Sequence, residues 1–268
     1  MLAPGLTATL NSDGSIILTW SAPDDGSVTG YHVLLRRPKE GEETLIIYVS
    51  EMGNTATTYT DTGTDLNAST IHVGGTGVAL LRGGSGRPVL VLHEELGHPG
   101  WLSWHDDLAQ DHSLLVPVHP GFGPLPRADW ISSVRDLAGF YSRMLREMAL
   151  GPVGVIGFSL GGWIAAEMAA ANSGQFRRMV LVAPTGLRPG EGEIMDLFVV
   201  TARAYLDASV HDASATPEFA SLYGREETPE QFEAWEDARA ESARLAWKPY
   251  MHNPSLPSLL QGVQGLPT

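Results

Sequence analysis

The residues with the plainest chemical meaning are the run Gly157-Phe158-Ser159-Leu160-Gly161-Gly162. A short apolar run, 153–156, precedes it, and a helix-forming stretch opening at Trp163 follows. Strand, G-x-S-x-G, then helix is the order that raises a serine hydroxyl on a strained turn as a nucleophile. Gly157 and Gly161 suit that turn, because side chains two residues either side of the serine would collide where the chain reverses. The helix start then aims backbone N–H groups and a positive dipole end at any oxyanion beside the serine. The chemistry such an arrangement serves is covalent: hydroxyl attack on a carbonyl, followed by release of the bound intermediate to water. The plainer alternative is a glycine-rich turn with an incidental serine, and the flanking pattern favours the elbow.

The elements that must hold this serine lie in the second part of the chain. From Ile71 onward the pattern is α/β. Val78-Ala-Leu-Leu81 and the glycines around it predict a hairpin, and Pro88-Val-Leu-Val-Leu92 reads as a strand buried on both faces. Leu114–Val118, Val153–Ile156 and Met179–Ala183 supply three more strands. Trp130 to Leu150 is predicted as an amphipathic helix, with Ile131, Val134, Leu137, Tyr141, Leu145 and Met148 on one face. Strands alternating with helices predict a doubly wound, mostly parallel sheet. Reactive groups in such sheets sit at the carboxyl ends of strands, where Ser159 is placed. Residues 193–262 read as a helical cap over that end, with a helix start at Thr228-Pro-Glu-Gln231.

Residues 1–70 carry a different period. Short alternating runs, such as Leu6–Leu10, Ser15–Trp20 and Tyr31–Leu35, are separated by turn residues and predict a small antiparallel β domain. The expected organisation is therefore a β segment over 1–70 and an α/β domain over 71–268.

Composition narrows the functions. The formal net charge of −14 leaves no excess of Lys and Arg to neutralise a phosphate backbone, so nucleic acid is not an expected partner. No apolar run is long enough to span a bilayer, and no basic-then-apolar leader opens the sequence, so no membrane partner is expected. There is no cysteine, which excludes disulfides and thiolate ligands and leaves the compartment open. No cofactor or metal is expected. His93-Glu-Glu-Leu-Gly-His98 has its histidines five apart in a glycine-containing loop, not four apart on one helix face as a zinc protease needs. The glycine clusters at 74–77 and 83–86 lack the spacing of phosphate loops and read as hairpin turns.

Two resemblances add to this reading. Residues 71–268 resemble the α/β-hydrolase superfamily, in its esterase-like branch with a helical cap. The carriers are Val91-Leu-His93, Pro117-Val-His-Pro-Gly-Phe-Gly123, Val155–Ile164 across the serine, and Val180–Gly186. Residues 1–70 resemble a fibronectin type III domain, through Ala3-Pro-Gly, Leu18-Thr-Trp20, Val28-Thr-Gly-Tyr31 and Thr58–Gly63, with two closing strands fewer than that family has.

The first resemblance implies Ser159 as nucleophile, with the backbone amides of Leu160 and Glu95 as the oxyanion hole. Glu stands at position 94, where the family has glycine after His93, and only the Glu95 amide is then needed. Phe158 and His93 lie near the site. The family continues from its serine to an acid and then a histidine on later strands. This sequence reaches Leu266-Pro267-Thr268 where the acid-bearing strand would begin, so impaired activity is expected. His93, His98, His119, His211 and His252 are candidate bases by type alone. Structural hydrogen bonding is the expected role of His93 and His119, while Glu193 and Asp196 are carboxylates with no histidine to orient. The implied function is hydrolysis of a small ester or related acyl or C–C bond substrate, with a non-catalytic chain carrying a binding or spacer module as the alternative. The strand at Met179–Ala183, apolar throughout, is expected at the sheet edge, where it favours self-association.

Overall fold

The computed structural model describes residues 67–268, apart from 124, 214, 217, 218, 220, 221, 225 and 226, together with the backbone of five earlier strands. Those strands are β1 (Thr7–Leu10), β2 (Ile16–Thr19), β3 (Tyr31–Lys39), β4 (Glu42–Glu51) and β5 (Thr58–Asp61). They pair antiparallel as β1-β2-β5 and as β3-β4. The fibronectin type III likeness is not supported, and much of the sequence that suggested it, including Ala3-Pro-Gly, Trp20 and Val28-Thr-Gly, lies outside the described residues.

The remaining strands form one six-stranded sheet in the order β11-β10-β8-β9-β7-β6. They are β6 (Asn67–Val73), β7 (Thr76–Gly83), β8 (Arg87–Leu92), β9 (His112–Pro117), β10 (Val153–Phe158) and β11 (Phe176–Val182). Only β7 runs against the others, so the sheet is mostly parallel, as the alternating pattern requires. The hairpin is β6–β7, and β6 crosses the expected boundary at residue 70.

Side chains along β8 alternate between the two faces and are buried on both. Leu90 and Leu92 enter the core under helices α2 (Val134–Glu147) and α3 (Leu160–Ala171). Val89 and Val91 enter a smaller core with Ala109 of α1 (Ser103–Ala109). The predicted amphipathic helix is α2, shorter at both ends than its apolar stripe; Val134, Leu137, Tyr141 and Leu145 are buried on its inner face. Ser133 starts it, its hydroxyl accepting from the Asp136 N–H at 3.2 Å.

The cap contributes α4 (Ala202–Ser209) and α5 (Pro229–Ala246), followed by the short α6 (Leu256–Leu260) against α3. The start of α5 is the predicted one. Thr228 accepts from the Gln231 N–H, and the Gln231 side chain accepts from the Thr228 N–H at 3.0 Å. Leu197, Ala202, Leu206, Phe219 and Trp235 make a separate apolar cluster in the cap, and Leu96 from the loop after β8 inserts into it. That insertion fixes the loop 93–96 between sheet and cap. No helix among the described residues is long and apolar enough to cross a membrane.

At the other end of the sheet, β11 is the edge. Its Phe176 and Met179 face the α2–α3 core, but Val180 and Val182 point to the α1 side and are 45% and 40% exposed. One edge amide, that of Met179, is taken by the Pro267 carbonyl at 2.9 Å. A parallel strand with one open apolar face invites pairing or stacking with another chain. We propose that this face self-associates; Val180→Lys should then give a smaller weight-average mass by sedimentation at high protein concentration, and an unchanged mass would count against it.

Candidate active site

Ser159 lies where β10 ends and α3 begins, with φ +43° and ψ −107°. That backbone is uncommon for a residue with a side chain and is tolerated only where the surroundings fix it. Here they do. The Ser159 N–H donates to the Val182 carbonyl at 3.0 Å, and its own carbonyl accepts from Trp163 and Thr185 N–H groups at 3.1 and 3.2 Å. The glycines meet the predicted need. A Cβ on Gly157 would lie 2.7 Å from the Gly162 Cα, and one on Gly161 would press into the Leu92 carbonyl and lie 2.7 Å from that of His93. The turn therefore packs backbone against backbone, and β8 sits directly under it.

The loop after β8 supplies the other half of the site. Glu95 is fully buried, 0% exposed. Its carboxylate faces the serine turn: Oε2 accepts from the Leu160 N–H at 3.3 Å, and Oε1 accepts from the Tyr205 hydroxyl of α4. The Glu95 carbonyl accepts from the Ser242 hydroxyl of α5 at 2.8 Å. Burial, then the Glu95 charge, pushes the Tyr205 phenol far above its usual range, so it stays protonated. Of the two amides that the sequence points to, that of Leu160 is thus already occupied by a side chain.

Glu94 sits beside this pair, and its carboxyl is pushed up to about 8 by burial and then by the Glu95 charge, with a hydrogen bond from Tyr223 opposing. Tyr223 is raised in the same way, by burial and then by Glu94. Sequence reading gave Glu94 no role and did not single out Tyr205 or Tyr223. Aromatic richness across 193–262 was the one signal available for the tyrosines.

The histidines are bound elsewhere. His93 and His119 stack with ring centroids 3.6 Å apart. The His119 N–H donates to His93 Nε2 at 2.9 Å, so His93 Nδ1 is the donor, to the Glu94 carbonyl at 2.7 Å. His119 Nε2 lies 3.0 Å from the His93 carbonyl and Nδ1 lies 2.6 Å from the Tyr141 hydroxyl. Burial holds His93 well below the usual imidazole range, His119 down at about 3 and His98 at about 4. His98 Nδ1 accepts from the Gly100 N–H at 2.9 Å. His252 Nδ1 lies 2.8 Å from the Tyr250 carbonyl, and Tyr250 anchors the chain near Asp196 through the Leu197 N–H and the Met195 carbonyl. Among the described residues no group of His, Asp or Glu side chains is placed to hold a metal ion. A groove of about 320 Å³ opens at the opposite, amino ends of β8, β10 and β11, lined by Arg87, Val89, Ile156, Arg178 and Val180 among others, and is remote from Ser159.

Two outcomes test this geometry. Gly161→Ala must displace the β8 carbonyls and is expected to cost about 3 kcal/mol of stability by chemical denaturation. The pH dependence carries a sign. The folded Glu94 keeps its proton up to about 8, while the unfolded group loses it near 4.5. The native state therefore binds more protons between those values, and stability falls as pH rises through them. Melting temperature should decline over that window and decline less in Glu94→Gln.

A model of the alpha/beta hydrolase family matches residues 80–264. A curated relative, the dihydrolipoyllysine-residue acetyltransferase component of the acetoin cleaving system of Cupriavidus necator, is 29% identical over 106 residues. That match covers 39% of this chain and 28% of the relative, so the shared stretch spans under a third of the relative's length. Among solved structures, the 2-hydroxy-6-oxo-6-phenylhexa-2,4-dienoate hydrolase of Rhodococcus sp. strain RHA1 is similar in fold, with a TM-score of 0.57 and 16% identity over 75% of this chain and 79% of that one. A variant of the N-formylmaleamic acid deformylase of Pseudomonas putida S16 gives 0.55 and 20%, over 75% and 79%. With the matched model spanning most of the sheet, the serine turn and the cap, the chain belongs to the alpha/beta hydrolase family.

Proposed function

We propose that this chain is a serine-nucleophile hydrolase acting on a small ester or a related acyl or C–C bond substrate. The observation that carries this reading is the backbone of Ser159, held at φ +43° between β10 and the start of α3. A fold tolerates such strain where a side chain must be presented in one place. As the Ser159 oxygen attacks the substrate carbonyl carbon its O–H bond breaks, the carbonyl π pair moves to oxygen, and collapse expels the leaving group, which in net terms takes up the hydroxyl proton, to give an acyl-serine. Water then repeats the sequence and frees Ser159. The Leu160 amide, first in α3, is the donor best placed for the oxyanion, aided by the helix dipole.

The ring nitrogens of His93 and His119 are spent on other partners and both rings are held neutral by burial, so neither is the base in this proposal. A second reading, a chain that no longer turns over, has one observation in its favour: the Glu95 carboxylate rests on the Leu160 amide that an oxyanion would need.

Hydrolysis of p-nitrophenyl butyrate by the purified chain beside its Ser159→Ala variant separates these readings. Measurable release of nitrophenolate that falls to background in the variant is expected. Equal rates in both, or none in either, would sink the nucleophile assignment.

A further inference from the structure

Glu167 of α3 is a buried carboxylate, 4% exposed, that the serine chemistry leaves unused. A charge taken out of water must be matched by donors. Three elements supply them. Oε1 accepts from the Trp163 indole N–H at 3.1 Å, one turn back on α3, and from the side-chain amide of Asn253, in the segment between α5 and α6. Oε2 lies 3.5 Å from Nε of Arg135 on α2.

The two partners of Oε1 both lead to Ser159. The Asn253 N–H donates to the Gly186 carbonyl at 2.9 Å, and the Gly186 N–H donates to the Met251 carbonyl at 3.0 Å, so residues 251–253 grip Gly186 through both of its backbone polar groups. The residue before it, Thr185, donates its N–H to the Ser159 carbonyl at 3.2 Å, beside the Trp163 N–H at 3.1 Å. Gly186, at φ +97°, leaves to the Trp163 indole ring the space that a Cβ would take. Of the four non-glycine residues with positive φ among the described residues, three belong to this junction: Ser159, Ala183 and Met251. Such backbone persists only where its neighbours leave it no alternative.

We infer that Glu167 is a positioning residue for Ser159: by holding Trp163 and Asn253 on one oxygen, it fixes the turn 183–186 against the start of α3. The inference rests on the reading of Ser159 as nucleophile. Glu167 touches no substrate and moves no proton. Its effect is on the Ser159 carbonyl, which the first turn of α3 holds from one side only, through Trp163. The other hydrogen bond comes from Thr185, in a turn whose outer side is paired with 251–253. Asn253 ties that pair of segments back to α3 through Glu167. Loss of the tie leaves them without their polar anchor on the helix, and a small displacement of a reacting group is enough to slow attack.

The test measures the rate at which a fluorophosphonate probe labels Ser159, kcat and KM for p-nitrophenyl butyrate, and Tm. Labelling should vanish in Ser159→Ala. Glu167→Ala and Asn253→Ala should each slow labelling and lower kcat about 10-fold, with KM held within about twofold. The double variant should be no slower than the slower single one, since both cut the same link. Glu167→Gln keeps an oxygen for both donors and drops the charge, and should restore most of the rate. A side chain that only stabilised the fold would lower Tm and leave the labelling rate of the folded protein unchanged. That result in Glu167→Ala would overturn the inference and leave the nucleophile in place. Losses that multiply in the double variant, or a Glu167→Gln as slow as Glu167→Ala, would also overturn it. Should Glu167→Ala fail to fold, Asn253→Ala decides alone, and a wild-type rate there overturns the inference. No labelling of wild-type Ser159 would remove both readings.

Discussion

Everything at the carboxyl end of the sheet depends on how closely the β10–α3 turn packs on the backbone of β8. The close approach is possible only because Gly161 and Gly157 lack a Cβ, since an added atom would meet the carbonyls of Leu92 and His93 or the Gly162 Cα. It brings the residues after β8 to the first turn of α3, so that a side chain at position 95 can reach the amide at position 160. The unusual φ of Ser159 is one consequence of that contact, since a strand must become a helix with no loop between them. Hydrogen bonds with β11 and with the following turn, from the Ser159 N–H to the Val182 carbonyl and from the Thr185 N–H to the Ser159 carbonyl, lock it from the other side.

The buried carboxylate of Glu95 is the second organising feature, because a charge removed from water must be matched locally. Its partners come from three elements that are distant in sequence: Leu160 of α3, Tyr205 of α4 and, through the backbone, Ser242 of α5. Sheet and cap are therefore joined at the point where chemistry would occur. Leu96 strengthens the same joint with apolar burial among Leu197, Leu206 and Trp235. A cap tied in this way registers any change in the charge of Glu95, since Tyr205 gives its hydrogen bond to that carboxylate.

Much of the scaffold could be read from the sequence because its signals are local. The buried run 88–92, the stripe from Val134 to Leu145 and the cap box at Thr228 each depend on neighbours a few residues away, and each is an element of the sheet, α2 or α5 in the structure. The turn at Ser159 was legible for the same reason. The surroundings of that serine were not. Tyr205 is 46 residues further on and Glu95 is 64 residues back, in a loop whose charged residues invite a solvent-exposed reading. Only the folded cap brings them together. The first seventy residues show the opposite limit, where a string of turn and strand signals suggested a family that finds no support.

The stacked histidines are structural for a physical reason. Two of them, His93 and His119, stand at the ends of central strands, as a base should. Yet each ring has both nitrogens engaged, with a backbone amide and one carbonyl for His93 and with a carbonyl and the Tyr141 hydroxyl for His119. To accept a proton, either ring would have to surrender an accepted hydrogen bond inside a core that already disfavours its cation.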